Sequence, residues 1–81
     1  MEPAVAFGRV LRHLRQEAGL TQEELGFEAD LRRTYISILE LGQQQPSLST
    51  VLKLAKALNQ PGSTLVGMVE TELAHGAKRK R

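Results

Sequence analysis

The sequence predicts an all-α fold, a compact bundle of five short helices with no β-sheet. In four of the five predicted segments, apolar residues recur at spacings of three and four, which places them along one side of a helix. Helix-stopping residues separate these segments: Gly19, Gly42 and the run Asn-Gln-Pro-Gly at 59–62. No stretch of useful length has the period of two expected of a half-buried strand. A chain of 81 residues has room for one domain.

The first helix is predicted over residues 4–17. Pro3 suits its first turn, and Gly19 suits a left-handed stop after its last turn. The apolar stripe consists of Phe7, Val10, Leu11, Leu14 and Ala18.

The second helix is predicted from Thr21 to about Glu28. Thr21 and Glu24 have the spacing of a capping box, in which each side chain accepts a hydrogen bond from the other residue's amide. Leu25 is its core residue. Gly26 costs about 1 kcal/mol relative to alanine inside a helix, and close approach by another helix explains such a residue.

The remaining helices follow the same logic. The third is predicted over about 33–41, with Ile36 and Leu39 inward, and the fourth begins after Ser47. The fourth helix has the stripe Leu48, Val51, Leu52, Ala55 and Leu58. The fifth is predicted over about 63–74, capped by Ser63 or Thr64 and ended by Gly76, so that residues 1–75 form the domain and 76–81 a basic flexible tail.

Composition narrows the function classes. The chain has no cysteine, which excludes disulfides and thiol chemistry, and no apolar run long enough for a membrane span. We therefore expect a cytoplasmic protein. The net charge of +2 depends on four basic residues at 78–81, because the rest of the chain has seven basic and nine acidic residues. Nucleic-acid binding must be argued from the position of the charges.

Residues 7–58 resemble the Cro/phage-repressor type of helix-turn-helix domain, the XRE family. The resemblance rests on the run RQEAGLTQ at 15–22, on YIS at 35–37, on LELG at 39–42 followed by Pro46, and on the amphipathic helix after it. It implies a lambda-repressor-like fold in which helices 2 and 3 form the helix-turn-helix.

The resemblance also implies how the motif is held together. Gly26 would allow the two helices to cross closely, and Asp30 would occupy the left-handed turn position where the family usually has glycine. Arg15 and Glu40 would form a partly buried, bidentate ion pair.

The resemblance carries DNA contacts over residue by residue. The base contacts would be Arg32, Arg33, Thr34, Ser37 and Ile38. The backbone contacts would be Thr21, Gln22, Tyr35, Gln43 and Gln44. Each assignment has an alternative. The two arginines could be solvated charges, and Gln22 could support the third helix instead of contacting a phosphate. Tyr35 could be a packing residue, and Ser37 could donate to a helical carbonyl.

A DNA-binding domain this small contacts only a few base pairs, so specific binding needs two copies. We therefore expect a homodimer on a pseudo-palindromic site. The candidate interface lies on the fifth helix: Leu65, Val66, Met68, Val69 and Leu73. The same residues would alternatively pack inside the domain.

The expected function is sequence-specific binding to double-stranded DNA by a small repressor or autoregulator. The alternative is an antitoxin or adaptor-type interaction module with weak DNA binding, and a toxin or polymerase is a possible protein partner. An enzyme is not expected, because His13 and His75 have no metal-ligand spacing and there is no phosphate loop. No metal, cofactor or small-molecule ligand is expected. The tail is either solvated or contacts phosphates.

Overall fold

Five α-helices make up the part of the chain that the computed structural model describes, residues 1–79, with side chains described to residue 76. Their bounds are Pro3–Glu17 (α1), Gln22–Ala29 (α2), Arg33–Glu40 (α3), Leu48–Ala57 (α4) and Gly62–Arg79 (α5). This part of the chain contains no strand. The all-α prediction is confirmed. Among residues 1–79, no helix is long and apolar enough to cross a bilayer.

The helix ends form where the sequence predicted them for α1 to α4. Gly19 and Gly42 have φ of +73° and +72°, the left-handed region that glycine enters without a steric penalty. At the start of α2 the capping box is complete: the Glu24 amide donates to Thr21 Oγ1 at 3.0 Å, and the Thr21 amide donates to Glu24 Oε1 at 2.9 Å. The amide of Thr50 donates to Ser47 Oγ at 3.1 Å and caps α4.

The prediction for α5 was wrong at both ends. The helix begins at Gly62, so Ser63 and Thr64 lie inside it and do not cap it. It also continues through Gly76 to Arg79, because a glycine weakens a helix without ending it. Gly76 is buried, and a Cβ there would lie 3.2 Å from Met1 Cε, so a small residue suits this contact. The predicted flexible tail falls largely on residues 80–81 and the side chains of 77–79, outside the described residues.

The core is mainly aliphatic, with Phe7 as its buried aromatic residue, and draws on all five helices. Its fully buried large side chains are Leu11, Leu25, Ile36, Leu39, Leu54 and Leu65. Leu65 is 0% exposed, so it belongs to the core of its own domain and cannot form the surface of a dimer interface. That part of the interface prediction is wrong, because Leu65 is covered by the core of its own domain.

The packing leaves the first turn of α3 exposed at Arg33 and Thr34. α1 packs against α3 and α5, α2 packs against α3 and α4, and α4 also packs against α5. α3 therefore rests on α1 and α2, with Ile36 and Leu39 as its buried side. The opposite side of α3 faces solvent at its first turn, which is where a ligand can reach it.

Candidate nucleic-acid interface

The turn between α2 and α3 requires a glycine and a left-handed residue close together. A Cβ on Gly26 would lie 2.6 Å from the carbonyl oxygen of Leu31, too close for any other residue type. Asp30 follows with φ 57° and ψ 46°, and the amide of Leu31 donates to the Gly26 carbonyl at 2.8 Å. Both expectations for this turn are confirmed. Aspartate tolerates this conformation less well than glycine but better than most residues.

The start of α3 presents three neighbouring polar side chains. Arg32 stands at the N-cap with an extended backbone and makes no side-chain capping bond, a loss of about 1 kcal/mol relative to serine or aspartate. Arg32, Arg33 and Thr34 are all exposed. The first turn of α3 therefore offers two long cationic donors and a methyl-bearing hydroxyl from a rigid helix.

The second turn of α3 is less exposed. Ser37 and Ile38 are half-buried, one turn after Arg33 and Thr34. Within the described residues Ser37 makes no bond to a helical carbonyl, whereas Thr71 in α5 does, to Gly67 at 3.1 Å. The ring of Tyr35 packs against the core, in line with the packing alternative for this residue.

The charges on this face are free on the protein side. In residues 1–76 neither Arg32 nor Arg33 takes part in a salt bridge. Acidic groups are nevertheless near: Glu23 lines the same depression as Arg33, and Asp30 lines the same depression as Arg32. The positive potential is therefore confined to the arginine tips and is modest for a DNA-binding surface.

The C-terminal end of α3 is tied to α1 and α2 through Glu40. Arg15 Nε donates to Glu40 Oε2 at 2.6 Å and its Nη2 donates to Oε1 at 3.0 Å. Gln22 Nε2 donates to the same Oε1 at 3.1 Å. The remaining Arg15 nitrogen, Nη1, donates to the carbonyl of Leu20 at 2.8 Å. The predicted bidentate ion pair is present, and Gln22 braces α3.

This pair is well shielded from water. The side chains of Arg15 and Glu40 are 12% and 3% exposed. The hydrogen bond to Glu40 raises the pKa of Arg15; burial lowers that pKa in part, and the negative charge of Glu40 raises it further. A raised pKa means that this contribution to stability is complete below the arginine's unfolded pKa and is lost only in strongly alkaline solution.

A second glycine contact, which sequence reasoning missed, holds the same end of α3. Gly8 is buried in α1, and a Cβ on it would lie 2.5 Å from the carbonyl oxygen of Leu39 and 2.6 Å from that of Glu40. A signal was available in the sequence, since Gly8 interrupts an otherwise strong helix. That signal does not name the segment that approaches.

The loop after α3 provides neutral donors. Gln43 and Gln44 are exposed next to the end of α3, and Leu41 is 62% exposed. Amides can hydrogen-bond to phosphate oxygens without adding charge. This loop therefore extends the solvent-facing side of α3 without strengthening its electrostatic attraction.

On the far side of the domain, α4 and α5 share an exposed apolar strip. Leu52 and Val66 are 53% and 48% exposed. A Cβ on Gly62 would touch Leu52 Cδ2 at 2.8 Å, and Val66 is one turn after Gly62 on the same side of α5. Met68 lies about 200° around the helix from Val66 and lines a cleft against α1. One flat interface cannot include both, so the predicted grouping of Met68 with Val66 is wrong.

The other two residues assigned to the interface, Val69 and Leu73, are only partly exposed. Val69 is half-buried and packs against the core, and Leu73 is half-buried on the side of α5 that carries Val66. Among the described residues, no group of His, Asp and Glu has the arrangement of a metal site.

These features together define a DNA-binding transcriptional regulator that contains a helix-turn-helix. We call this motif, which consists of α2, the turn and α3 (residues 22–40), the reading head. The chain belongs to the helix-turn-helix family, whose sequence model matches residues 11–65, and it is of the Cro/phage-repressor type.

Among the similar proteins are a control protein and a restriction-modification controller protein. The chain is 44% identical over 61 residues to control protein C.BamHI of Bacillus amyloliquefaciens, covering 73% of this chain and 75% of that protein. The crystal structure of the restriction-modification controller protein C.AhdI from Aeromonas hydrophila matches with a TM-score of 0.75 and 45% identity, covering 76% of this chain and 94% of the other. The clp gene regulator ClgR from Corynebacterium glutamicum matches with a TM-score of 0.93 over 99% of this chain and 85% of that one, at 24% identity, which concerns the fold alone.

Replacing Glu40 by alanine leaves Arg15 and Gln22 without their acceptor in a shielded place. We expect Glu40→Ala to lower the free energy of unfolding by about 3 kcal/mol, the lower end of the range for a broken buried pair. Urea unfolding measures it. The matched control is Glu72→Ala, which breaks a 3.4 Å pair with Arg9 whose side chains are 53% (Arg9) and 27% (Glu72) exposed, and costs about 0–1 kcal/mol. Equal losses in the two variants would contradict the anchoring role of Glu40.

Proposed function

We propose that this protein binds a pseudo-palindromic duplex as a homodimer, with α3 of each protomer in the major groove, and that it regulates a restriction–modification system. The observation that carries the DNA contact is the first turn of α3, where two unpaired arginines and a threonine project from a helix anchored at its other end. In helix-turn-helix proteins the N-terminal residues of the second helix contact base edges.

Each contact follows from side-chain chemistry. Arg33 would donate to guanine O6 and N7, and the methyl groups of Thr34 and Ile38 would contact thymine. Ser37 would donate to or accept from a base edge. Arg32 stands before the first helical turn and would reach either a base or a phosphate.

Phosphate contacts would flank α3 on both sides. Thr21 and Gln22 lie at the N-terminus of α2, where backbone amides favour an anion. Tyr35, Gln43 and Gln44 complete the proposed set, with the Tyr35 hydroxyl as donor while its ring stays packed. The glutamines contribute no charge, so they orient the protein more than they attract it.

Dimerisation would use the strip formed by Leu52 and Val66, with Leu73 further along α5. This strip is apolar and exposed, and it is separate from the reading face because α3 packs on α1 and α2. A twofold axis along it would present two α3 helices to one side of a duplex, with half-sites about one helical turn apart.

The restriction–modification assignment rests on similarity. Two controllers share 44–45% identity with about three-quarters of this chain. The family model matches residues 11–65, a range that includes the anchoring residues Arg15, Gly26 and Glu40.

A second candidate function is a protein-interaction module such as an antitoxin or adaptor. The observation in its favour is Phe27, which is 84% exposed on α2 among Glu23, Glu24 and Glu28. An acidic surface with a protruding aromatic ring repels phosphates and suits a basic, partly apolar protein. Failure to bind any duplex would favour this candidate.

Duplex binding should depend steeply on salt. If each protomer neutralises at least one phosphate, the slope of log K against log salt concentration is about −2 or steeper for a dimer. Fluorescence anisotropy with a duplex selected from a random pool, between low and physiological salt, measures this. A pool that yields no enriched sequence, or binding that does not respond to salt, would contradict the proposal.

Arg33→Ala should relax selectivity at one base position in each half-site. The expected cost is about 1–3 kcal/mol of binding free energy on the selected duplex, and less on a duplex changed at that position. Arg9→Ala is the control, because it removes the same charge from the side of α1 that faces α5. A uniform loss across all sequences would instead assign Arg33 to a phosphate.

Val66→Glu should disrupt the dimer. Burying an unpaired carboxylate costs several kcal/mol, so the dimer dissociation constant should rise at least tenfold in sedimentation analysis. Thr71→Glu adds the same charge about 140° around α5 and should leave the dimer intact. A dimer that tolerates both changes would move the interface elsewhere.

A further inference from the structure

Gly8 is a point of close backbone contact between α1 and α3. A Cβ on it would meet two successive carbonyl oxygens of α3, those of Leu39 and Glu40, at 2.5 and 2.6 Å. Glycine inside a helix is unfavourable relative to alanine, and Gly8 lies in the interior of α1. The local sequence therefore loses stability at Gly8 in exchange for a backbone-to-backbone approach.

Each end of α3 packs closely against a glycine of another helix. Gly26 of α2 packs against the residues that lead into α3. A Cβ on Gly26 would lie 2.6 Å from the carbonyl oxygen of Leu31 and 3.4 Å from the amide nitrogen of Arg33. Gly8 of α1 meets the last turn. The two glycines belong to different helices, so each one sets how closely one end of α3 approaches the domain.

We propose that Gly8 is a positioning residue that determines sequence discrimination by setting where the second turn of α3 stands in the groove. The inference rests on the proposed DNA contact of α3. Gly8 touches no DNA itself, and acts only through the backbone of Leu39 and Glu40.

The size of the effect follows from contact distances. A carbon approaches a carbonyl oxygen to about 3.3 Å, so a methyl group at Gly8 would displace the end of α3 by about 0.8 Å. Binding constellations tolerate displacements of about 0.5 Å. Because Gly26 holds the other end, the displacement grows along α3 and is larger at Ser37 and Ile38 than at Arg33.

Discrimination, and not affinity alone, is the informative measurement. The ratio of the dissociation constants for a scrambled duplex and the selected duplex is insensitive to how much of the protein is folded, because the folded fraction scales both constants equally. The salt dependence on the scrambled duplex reports the phosphate contacts separately.

For Gly8→Ala we expect this ratio to fall about tenfold, the loss of roughly one base contact per site, with non-specific affinity and its salt slope unchanged within about twofold. Base-by-base substitution of the duplex should place the loss at positions other than the one that Arg33→Ala affects. The matched control is Gly67→Ala in α5, where nothing lies within 4 Å of the added Cβ, and which should leave the ratio unchanged.

Two results would overturn the inference: an unchanged ratio in folded Gly8→Ala, or a parallel loss on both duplexes. If Gly8→Ala does not fold, Val5→Ile tests the same packing of α1 against the C-terminal end of α3. Val5 touches Gly42 just after α3, since a Cβ on Gly42 would lie 3.0 Å from Val5 Cγ2. One added methyl should lower the ratio in the same way, and an unchanged ratio there would also overturn the inference. Wild-type protein that shows no preference between the duplexes would contradict the proposed function itself.

Discussion

The reading head depends on one set of interactions, the ion pair and the hydrogen bonds made by the carboxylate of Glu40. Arg15 from α1 and Gln22 from α2 both donate to this carboxylate at the end of α3, and Arg15 also bonds to the carbonyl of Leu20 between α1 and α2. Side chains from three helices thus meet at one shielded charge. Removing charge from water is costly unless every partner is present, so the network favours a single arrangement of α3.

The rest of the head contains local choices that are unfavourable by themselves. Arg32 occupies a cap position without capping, Asp30 occupies a left-handed turn, and Gly26 weakens α2. Each costs on the order of 1 kcal/mol or less. They coincide with the close crossing of the two helices and with two exposed cations in a chain whose first 77 residues have more acidic than basic groups. Their concentration at one place distinguishes a functional surface from an ordinary helical hairpin.

Most of the fold could be predicted from the sequence, because helix periodicity, the Thr21 capping box and the glycine stops act over a few residues. The prediction failed where those signals were ambiguous. Gly76 looks like a stop but serves a contact with Met1, and Ser63 and Thr64 look like caps but follow Gly62 into the helix. Leu65 and Met68 were placed on a dimer interface because periodicity identifies apolar positions without saying which neighbour covers them.

The sequence by itself determined the five helices, apart from the ends of α5, and, through the family resemblance, the turn at Gly26 and Asp30 and the Arg15–Glu40 pair. Only the tertiary structure decided that Gln22 braces α3, that Leu65 is core, and that Gly8 lies against the carbonyls of Leu39 and Glu40. The physical reason is range. Capping and periodicity are set by neighbours within one or two turns, whereas contacts between helices depend on crossing geometry that side chains distant in sequence establish together.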